Sequence, residues 1–160
     1  MNHIISVLVE NKAGVLAKIS GLFSRRGFNI ESLAVGPTDD EKISRITLAA
    51  NAEEHSIEQI IKQLYKLINV IKIQELDPSN IVERELVLIK VSADSKTRPE
   101  ILEIVSVFRA NIVDVGKKTI MIEITGNSSK VKALEDLLRP FGILELVRTG
   151  KIACSRGSKS

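Results

Sequence analysis

Apolar positions along the chain alternate between short, nearly continuous runs and stretches with helical spacing. His3 to Val9 is an aliphatic run that ends at Glu10-Asn11-Lys12-Ala13-Gly14, a turn-forming stretch, and predicts a strand. Val15, Leu16, Ile19, Leu22 and Phe23 then recur on one face of a helix. Gly27 follows Arg25 and Arg26, as at a left-handed helix end with cations beside its negative pole. Asn29 to Val35 predicts a second strand, and beyond the turn Pro37-Thr38-Asp39-Asp40 the residues Ile46, Leu48 and Ala50 mark one face of a third. Ser56 with Gln59 has the form of a capping box opening a second helix, whose buried side would carry Ile57, Ile60, Ile61, Leu64 and Ile68. Val70 to Glu75 predicts the fourth strand. The order βαββαβ implies a four-stranded antiparallel sheet with both helices on one face.

Asp77-Pro78-Ser79-Asn80 interrupts this pattern, and the same order then returns. A strand is predicted at Glu85 to Val91, and a helix from Thr97, where Thr97 and Glu100 have capping-box spacing. Ile101, Leu102, Ile104, Val105 and Phe108 would face its core. Two strands, Ile112 to Val115 and Thr119 to Thr125, flank Gly116-Lys117-Lys118. A helix from about Ser128 buries Val131, Leu134 and Leu138 and stops at Pro140, and Ile143 to Val147 is the last strand. The predicted fold is therefore α+β, with two ferredoxin-like βαββαβ domains in tandem: residues 1–76, a linker at 77–82, and residues 83–160 with a basic tail. Units of roughly 75 residues are small for independent folding, so self-association, as a dimer or larger, is expected to add burial.

Composition narrows the function. Of 160 residues, 44% are hydrophobic and 27% charged, which excludes a largely disordered chain. Twenty-two Ile and fourteen Val against five aromatic residues describe a β-containing aliphatic core and count against a base-stacking nucleic-acid surface. No apolar run reaches the ~18–20 residues of a membrane span. The start, Met1-Asn2-His3-Ile4, lacks the basic and apolar regions of a signal peptide, and the one cysteine, Cys154, fits a reducing compartment. The expected location is the cytoplasm, or a plastid stroma after import. Residues 1–76 are neutral, with nine basic and nine acidic side chains; residues 77–160, with fourteen and eleven, hold the whole net charge of +3. Arg148, Lys151, Arg156 and Lys159 lie in an acid-free terminal stretch, read first as a solvated, partly frayed tail and second as a contact for an acidic partner.

Catalytic chemistry finds little purchase. His3 and His55 have no metal-ligand spacing around them, and Cys154 has no histidine near it in sequence. Asp39-Asp40-Glu41 and Glu53-Glu54 read as solvated turns, and there is no Walker loop and no Gly-x-Gly-x-x-Gly. One segment has binding character. Asn11-Lys12-Ala13-Gly14-Val15-Leu16 joins a strand to a helix, whose start offers unpaired N–H groups and a positive dipole end to a carboxylate. Gly14 would let a small ligand approach the backbone, and the carboxamides of Asn11 and Asn29 could read both ends of an α-amino acid. On spacing alone, a plain turn remains the favoured reading, because such loops are common.

Asn11-x-x-Gly14-Val15-Leu16, with Leu22-Phe23-Ser24-Arg25-Arg26-Gly27-Phe28-Asn29-Ile30-Glu31-Ser32-Leu33 after it, resembles the ACT domain of the small regulatory subunits of acetolactate synthase (acetohydroxyacid synthase). The likeness continues through the Asp77-Pro78 linker and the second unit. It implies a first domain of ACT type in a chain with no catalytic activity of its own. Such a chain binds and activates a large catalytic subunit that uses thiamine diphosphate, with Mg²⁺ and FAD also on that partner and no cofactor here. It also confers feedback inhibition by valine or a related amino acid in branched-chain amino acid (valine and isoleucine) biosynthesis. The resemblance further implies ACT pairing into an eight-stranded sheet, with effector sites at the dimer interface. By matching positions, Asn11, Gly14, Val15 and Leu16 would belong to the effector loop of one chain, and Asn29 and Ile30 would complete the site from its neighbour. Leu16 and Val35 would supply apolar wall. The second domain has Ser92-Ala93-Asp94-Ser95-Lys96-Thr97 in place of N-x-x-G, so no second site of this type is expected.

Two alternatives stand beside this reading. One is a stand-alone ACT-type sensor acting on another enzyme. The other is an RNA-recognition module, which shares the βαββαβ order and the Arg26-Gly27-Phe28 start of that signature, but here the segment continues Asn29-Ile30 and sits before the second strand.

Overall fold

The structure is a computed structural model that describes residues 2–157, except for the side chains of Glu54 and His55. The histidine reading at His55 and the tail reading at Lys159 therefore lie outside the described residues. The elements are β1 (Asn2–Glu10), α1 (Val15–Arg25), β2 (Ile30–Pro37), β3 (Ile43–Asn51), α2 (Glu54–Leu64), β4 (Val70–Leu76), β5 (Ile81–Ser92), α3 (Arg98–Val107), β6 (Asn111–Val115), β7 (Thr119–Gly126), α4 (Ser128–Leu138), β8 (Ile143–Arg148) and β9 (Ile152–Ser155). They form two α+β units: one up to Val82 together with the segment from Lys151 onward, the other Glu83–Gly150.

The first unit is an antiparallel sheet in the order β2-β3-β1-β4. Alternation along each strand decides its two faces. Ile5, Val7 and Val9 of β1, Ile46 and Leu48 of β3 and Ile73 of β4 turn to one side. There they meet Val15, Ile19, Leu22 and Phe23 of α1 and Ile57, Ile60 and Leu64 of α2. Each such aliphatic side chain contributes about 1.5–3 kcal/mol by leaving water. Phe28 closes the end of the core edge-on to Phe23, ring centroids 6.4 Å apart. Gly27 adopts the left-handed conformation its position implied, at φ +72°.

The second unit repeats the plan, with β6-β7-β5-β8 as its sheet order. Val87, Ile89, Val91, Ile120, Ile122 and Ile124 pack against Ile101 and Val105 of α3 and Val131, Leu134 and Leu138 of α4.

Several local expectations need correction. The α2 helix starts two residues before the supposed Ser56 cap and has no side-chain cap; it ends at Leu64, so Ile68 falls in the following turn and is 89% exposed. Leu102 points outward on α3, 44% exposed. Thr97 precedes α3 without a side-chain cap on the helix, and Asp94 takes the nearby N–H groups instead. The 77–82 linker is only partly a turn: Pro78–Asn80 forms one, with Asp77 Oδ1 accepting from Ser79 N–H at 2.9 Å, and β5 already begins at Ile81.

The largest correction concerns the tail. The tail of the expected 83–160 domain, read as solvated and partly frayed, instead has contacts with the first unit from Lys151 onward. The Lys151 N–H donates to Ser32 Oγ (2.8 Å), Gln74 Nε2 donates to Ser155 Oγ (3.4 Å), and Arg156 donates its backbone N–H to Asn80 O (2.9 Å) and its Nε–H to Ile81 O (3.2 Å). These bonds satisfy backbone groups that a frayed tail would leave to water. Arg148, inside the second unit, pairs with Glu135 at 3.6 Å.

Candidate functional site

The loop from β1 to α1 is built by three residues with separate tasks. Asn11 ties it down: its N–H donates to Lys42 O and its Nδ2 to Glu41 O, both at 2.8 Å, fastening the loop to the turn before β3. One N–H of the Asn11 amide is thus spent on the protein, and its oxygen and second N–H remain to face a ligand. Gly14 ends the loop at φ +85°, as the residue before the helix, a conformation that favours glycine. A Cβ placed there would have nothing within 4 Å, so the space over the loop is open.

The helix start is chemically unsatisfied. No side chain caps α1 and no acid lies in its first turn. The Val15 N–H reaches only Lys12 O, at 3.5 Å, and the first helical bond, Lys18 N–H to Gly14 O, is 3.1 Å. The Leu16 and Ala17 N–H groups lie between them, aimed out of the helix start with the positive dipole end behind them.

A polar cluster that sequence reasoning missed stands beside this start. Lys12 Nζ is 2.8 Å from Glu10 Oε2, Asn69 Nδ2 donates to the same carboxylate at 3.5 Å, and Lys18 Nζ donates to Asn69 Oδ1 at 3.4 Å. The hydrogen bond and charge of Lys12 hold the Glu10 carboxyl below its ordinary range, and Glu10 in turn raises the Lys12 ammonium. Lys12 was visible inside the motif; Asn69 lies 58 residues from Asn11 in sequence and gave no signal.

The other expected residues fall elsewhere. Val15 is buried in the core, 5% exposed, so its side chain is structural and does not line the loop. Leu16 and Val35 are exposed. Asn29 and Ile30 do not meet Asn11 within one chain. Ile30 pairs with Ala50, which pairs with His3, whereas Glu10 at the other end of β1 pairs with Ile43. Seven residues at ~3.3 Å per residue separate those levels by roughly 23 Å. Because β2 is an edge strand, its outer side is open to a neighbouring chain.

The remaining candidates have structural occupations. The His3 imidazole bridges Glu75 Oε1 (2.6 Å from Nδ1) and Ala52 O (3.1 Å from Nε2). No helix among the described residues is long and apolar enough to cross a membrane. The helix-free face that an RNA-recognition module would offer has no aromatic residue on β1 or β3.

Comparison with known proteins identifies the family. Residues 5–72 match the family model described as the AHAS small subunit-like ACT domain, and residues 84–157 match that of the small subunit of acetolactate synthase. A probable acetolactate synthase small subunit from Archaeoglobus fulgidus is 54% identical over 159 residues, covering 99% of each chain. The acetolactate synthase small subunit of Mycobacterium bovis is 54% identical over 157 residues, covering 98% of this chain and 94% of that one. The crystal structure of the small subunit of acetolactate synthase from Thermotoga maritima superposes with a TM-score of 0.92 at 43% identity, covering 99% of both chains.

Proposed function

The chain belongs to the family of acetolactate synthase small subunits, and we propose that it binds valine or a related branched-chain amino acid through its first unit to restrain a separate, thiamine-diphosphate-dependent large subunit that it otherwise activates. The observation that carries the amino-acid reading is the uncapped start of α1 beneath Gly14. Its N–H groups and dipole suit the carboxylate of an amino acid, the Asn11 oxygen suits an ammonium, and exposed Leu16 offers aliphatic surface.

Asn29 and Ile30 enter this reading through a second copy. If two β2 edges pair antiparallel about a two-fold axis, the Ile30 end of one chain lies beside the Pro37 end of the other. Pro37 is level with Ser44, and Ser44 with Val9, so this is the end at which the Asn11–Gly14 loop sits. Such pairing yields an eight-stranded sheet with two sites, each shared by two chains.

The test is reconstitution. The purified chain with thiamine diphosphate, Mg²⁺ and FAD should form no acetolactate from pyruvate. Mixed with the large subunit it should co-purify and raise turnover several-fold, and valine should reverse the gain. Valine binding without any association with a large subunit would replace this reading by a stand-alone sensor. A monomer by sedimentation at micromolar concentration, with or without valine, would remove the shared site.

A further inference from the structure

An open sheet has two edge strands, and an exposed edge is a template for pairing with another chain. In the first unit the edges are β2 and β4. By sequence β4 is the more prone to pair. It opens Val70-Ile71-Lys72-Ile73, rich in β-branched residues and with Ile71 exposed, whereas β2 contains Glu31 and ends in Gly36-Pro37. The outer side of β4 is nevertheless closed at its middle. Ile73, the central residue of Val70–Leu76, lies opposite Val7 of β1. Its N–H donates to Tyr65 Oη at 3.2 Å, and the Tyr65 hydroxyl donates back to Ile73 O at 3.2 Å. In an antiparallel ladder the N–H and C=O of one residue point to the same side. Both Ile73 groups therefore turn away from β1, toward the place a further strand would take. Tyr65 itself is fixed in position: its N–H donates to Ile61 O at 3.1 Å, and the Leu67 and Val70 N–H groups, on Leu64 O and Leu67 O, shape the turn from α2 into β4.

We propose that Tyr65 guards the β4 edge, so that a second copy of this chain is admitted to the first sheet at β2 and not at β4. The inference rests on the β2 pairing proposed above and adds what limits it. Pairing through one edge about a two-fold axis closes at two chains. Pairing through both edges does not close, because each added chain presents its other edge to the next and the product is an open ribbon. A hydroxyl suits the guard because it donates and accepts at once, so one group occupies both the acceptor and the donor that an incoming strand needs. Such a strand has to break both bonds and displace the ring before it forms any bond of its own at Ile73.

The test is sedimentation of the full chain from low to high micromolar concentration. Tyr65→Phe keeps the ring and removes the hydroxyl, and Tyr65→Ala clears the edge. Tyr65→Ala should form species of at least ~twofold the wild-type mass that grow with concentration, and Tyr65→Phe should lie between. Adding Ile71→Lys to Tyr65→Ala sets a charge on the opened strand and should restore the wild-type mass. That reversal separates an opened edge from a misfolded chain, which a surface lysine does not repair. The second readout is amide exchange at Ile73, measured too dilute for growth. Tyr65→Phe should speed it at least ~fivefold, the effect of one lost hydrogen bond, and leave the Leu48 amide unchanged. Wild-type mass for both Tyr65 variants, unchanged exchange at Ile73, or growth of Tyr65→Ala that Ile71→Lys leaves in place would each overturn the guard. A monomeric wild type would remove the β2 pairing but leave this test standing, because Tyr65→Ala should then pair through β4 alone.

Discussion

In the first unit the strand-to-helix loop runs Asn11-Lys12-Ala13-Gly14; in the second its counterpart runs Ala93-Asp94-Ser95-Lys96-Thr97. The second loop supplies its own anion. Asp94 Oδ1 accepts the N–H groups of Lys96 and Thr97, each at 2.8 Å, and the Asp94 N–H donates to Thr97 Oγ1 at 3.0 Å. Those backbone bonds hold the Asp94 carboxyl below its ordinary range. In the first loop no carboxylate takes the corresponding donors, and a glycine leaves the approach open. On the proposed reading, the same fold offers or withholds a carboxylate site according to whether the chain brings a carboxylate of its own. The helix-free faces differ likewise. The first is roofed by β9, whereas the second carries exposed Leu86 and Val147.

The comparison presumes equivalent cores, and the largest effects test that presumption. Leu48 on β3 and Ile122 on β7 are both fully buried in corresponding strands. Leu48→Ala and Ile122→Ala should each destabilise their own unit by about 2–5 kcal/mol, from lost burial plus the cavity left behind. Hydrogen exchange resolved by unit is the measurement, since two-unit chains need not unfold in one step. A cost under ~1 kcal/mol in either unit would show that the two cores are not built alike.

The next effect transplants the second loop's device into the first. Gly14→Asp puts a carboxylate over the start of α1, where the space is open and the backbone strain of the left-handed conformation is only about 1–2 kcal/mol. Valine affinity should fall at least ~10-fold, or ~1.4 kcal/mol, through lost hydrogen bonds and added repulsion. Asn29→Ala should weaken binding less, because it removes a contact without adding charge. Calorimetric titration of the two variants ranks them; unchanged affinity in Gly14→Asp would break the link between the open loop and effector binding.

How much of this was written in the chain depends on the range of the interaction. The periodicities of Ile5, Val7 and Val9 and of Val131, Leu134 and Leu138 are local, and they led directly to the two cores. The Gly14 turn and the helix start behind it were equally legible, because glycine and the strand-to-helix change lie within five residues. Side-chain duties that depend on tertiary partners were not. Val15 reads as part of a motif but serves the core, and Asn11 spends one amide N–H on a turn 30 residues away. The tail shows the same limit: Ile152-Ala153-Cys154-Ser155 is too short to announce a strand, and only its pairing with β5, distant in sequence, makes it one.

The smallest effect separates the two loops by the origin of their shifted carboxyls. Both Glu10 and Asp94 titrate below their ordinary values of 4.5 and 3.8, so each stabilises the folded state above that range. That stabilisation disappears as the pH falls through the lowered folded-state value. Their partners differ. Glu10 is held by the exposed ammonium of Lys12, whereas Asp94 is held first by two backbone N–H groups of its own turn. Salt weakens the former, because dissolved ions compete for an exposed side-chain ion pair, and leaves the latter nearly intact, because the backbone dipoles of its own turn carry no charge for ions to replace. Carboxyl-carbon NMR titration at 0.02 M and 0.5 M NaCl should therefore move the Glu10 midpoint upward and hold the Asp94 midpoint almost still. Asp94→Ala should increase amide exchange at the start of α3, and Asp94→Asn, which keeps an acceptor oxygen, should do so less. If the two carboxyls responded equally to salt, the second loop would be held by charge rather than by its own geometry, and Asp94 would no longer stand as the built-in counterpart of a ligand carboxylate.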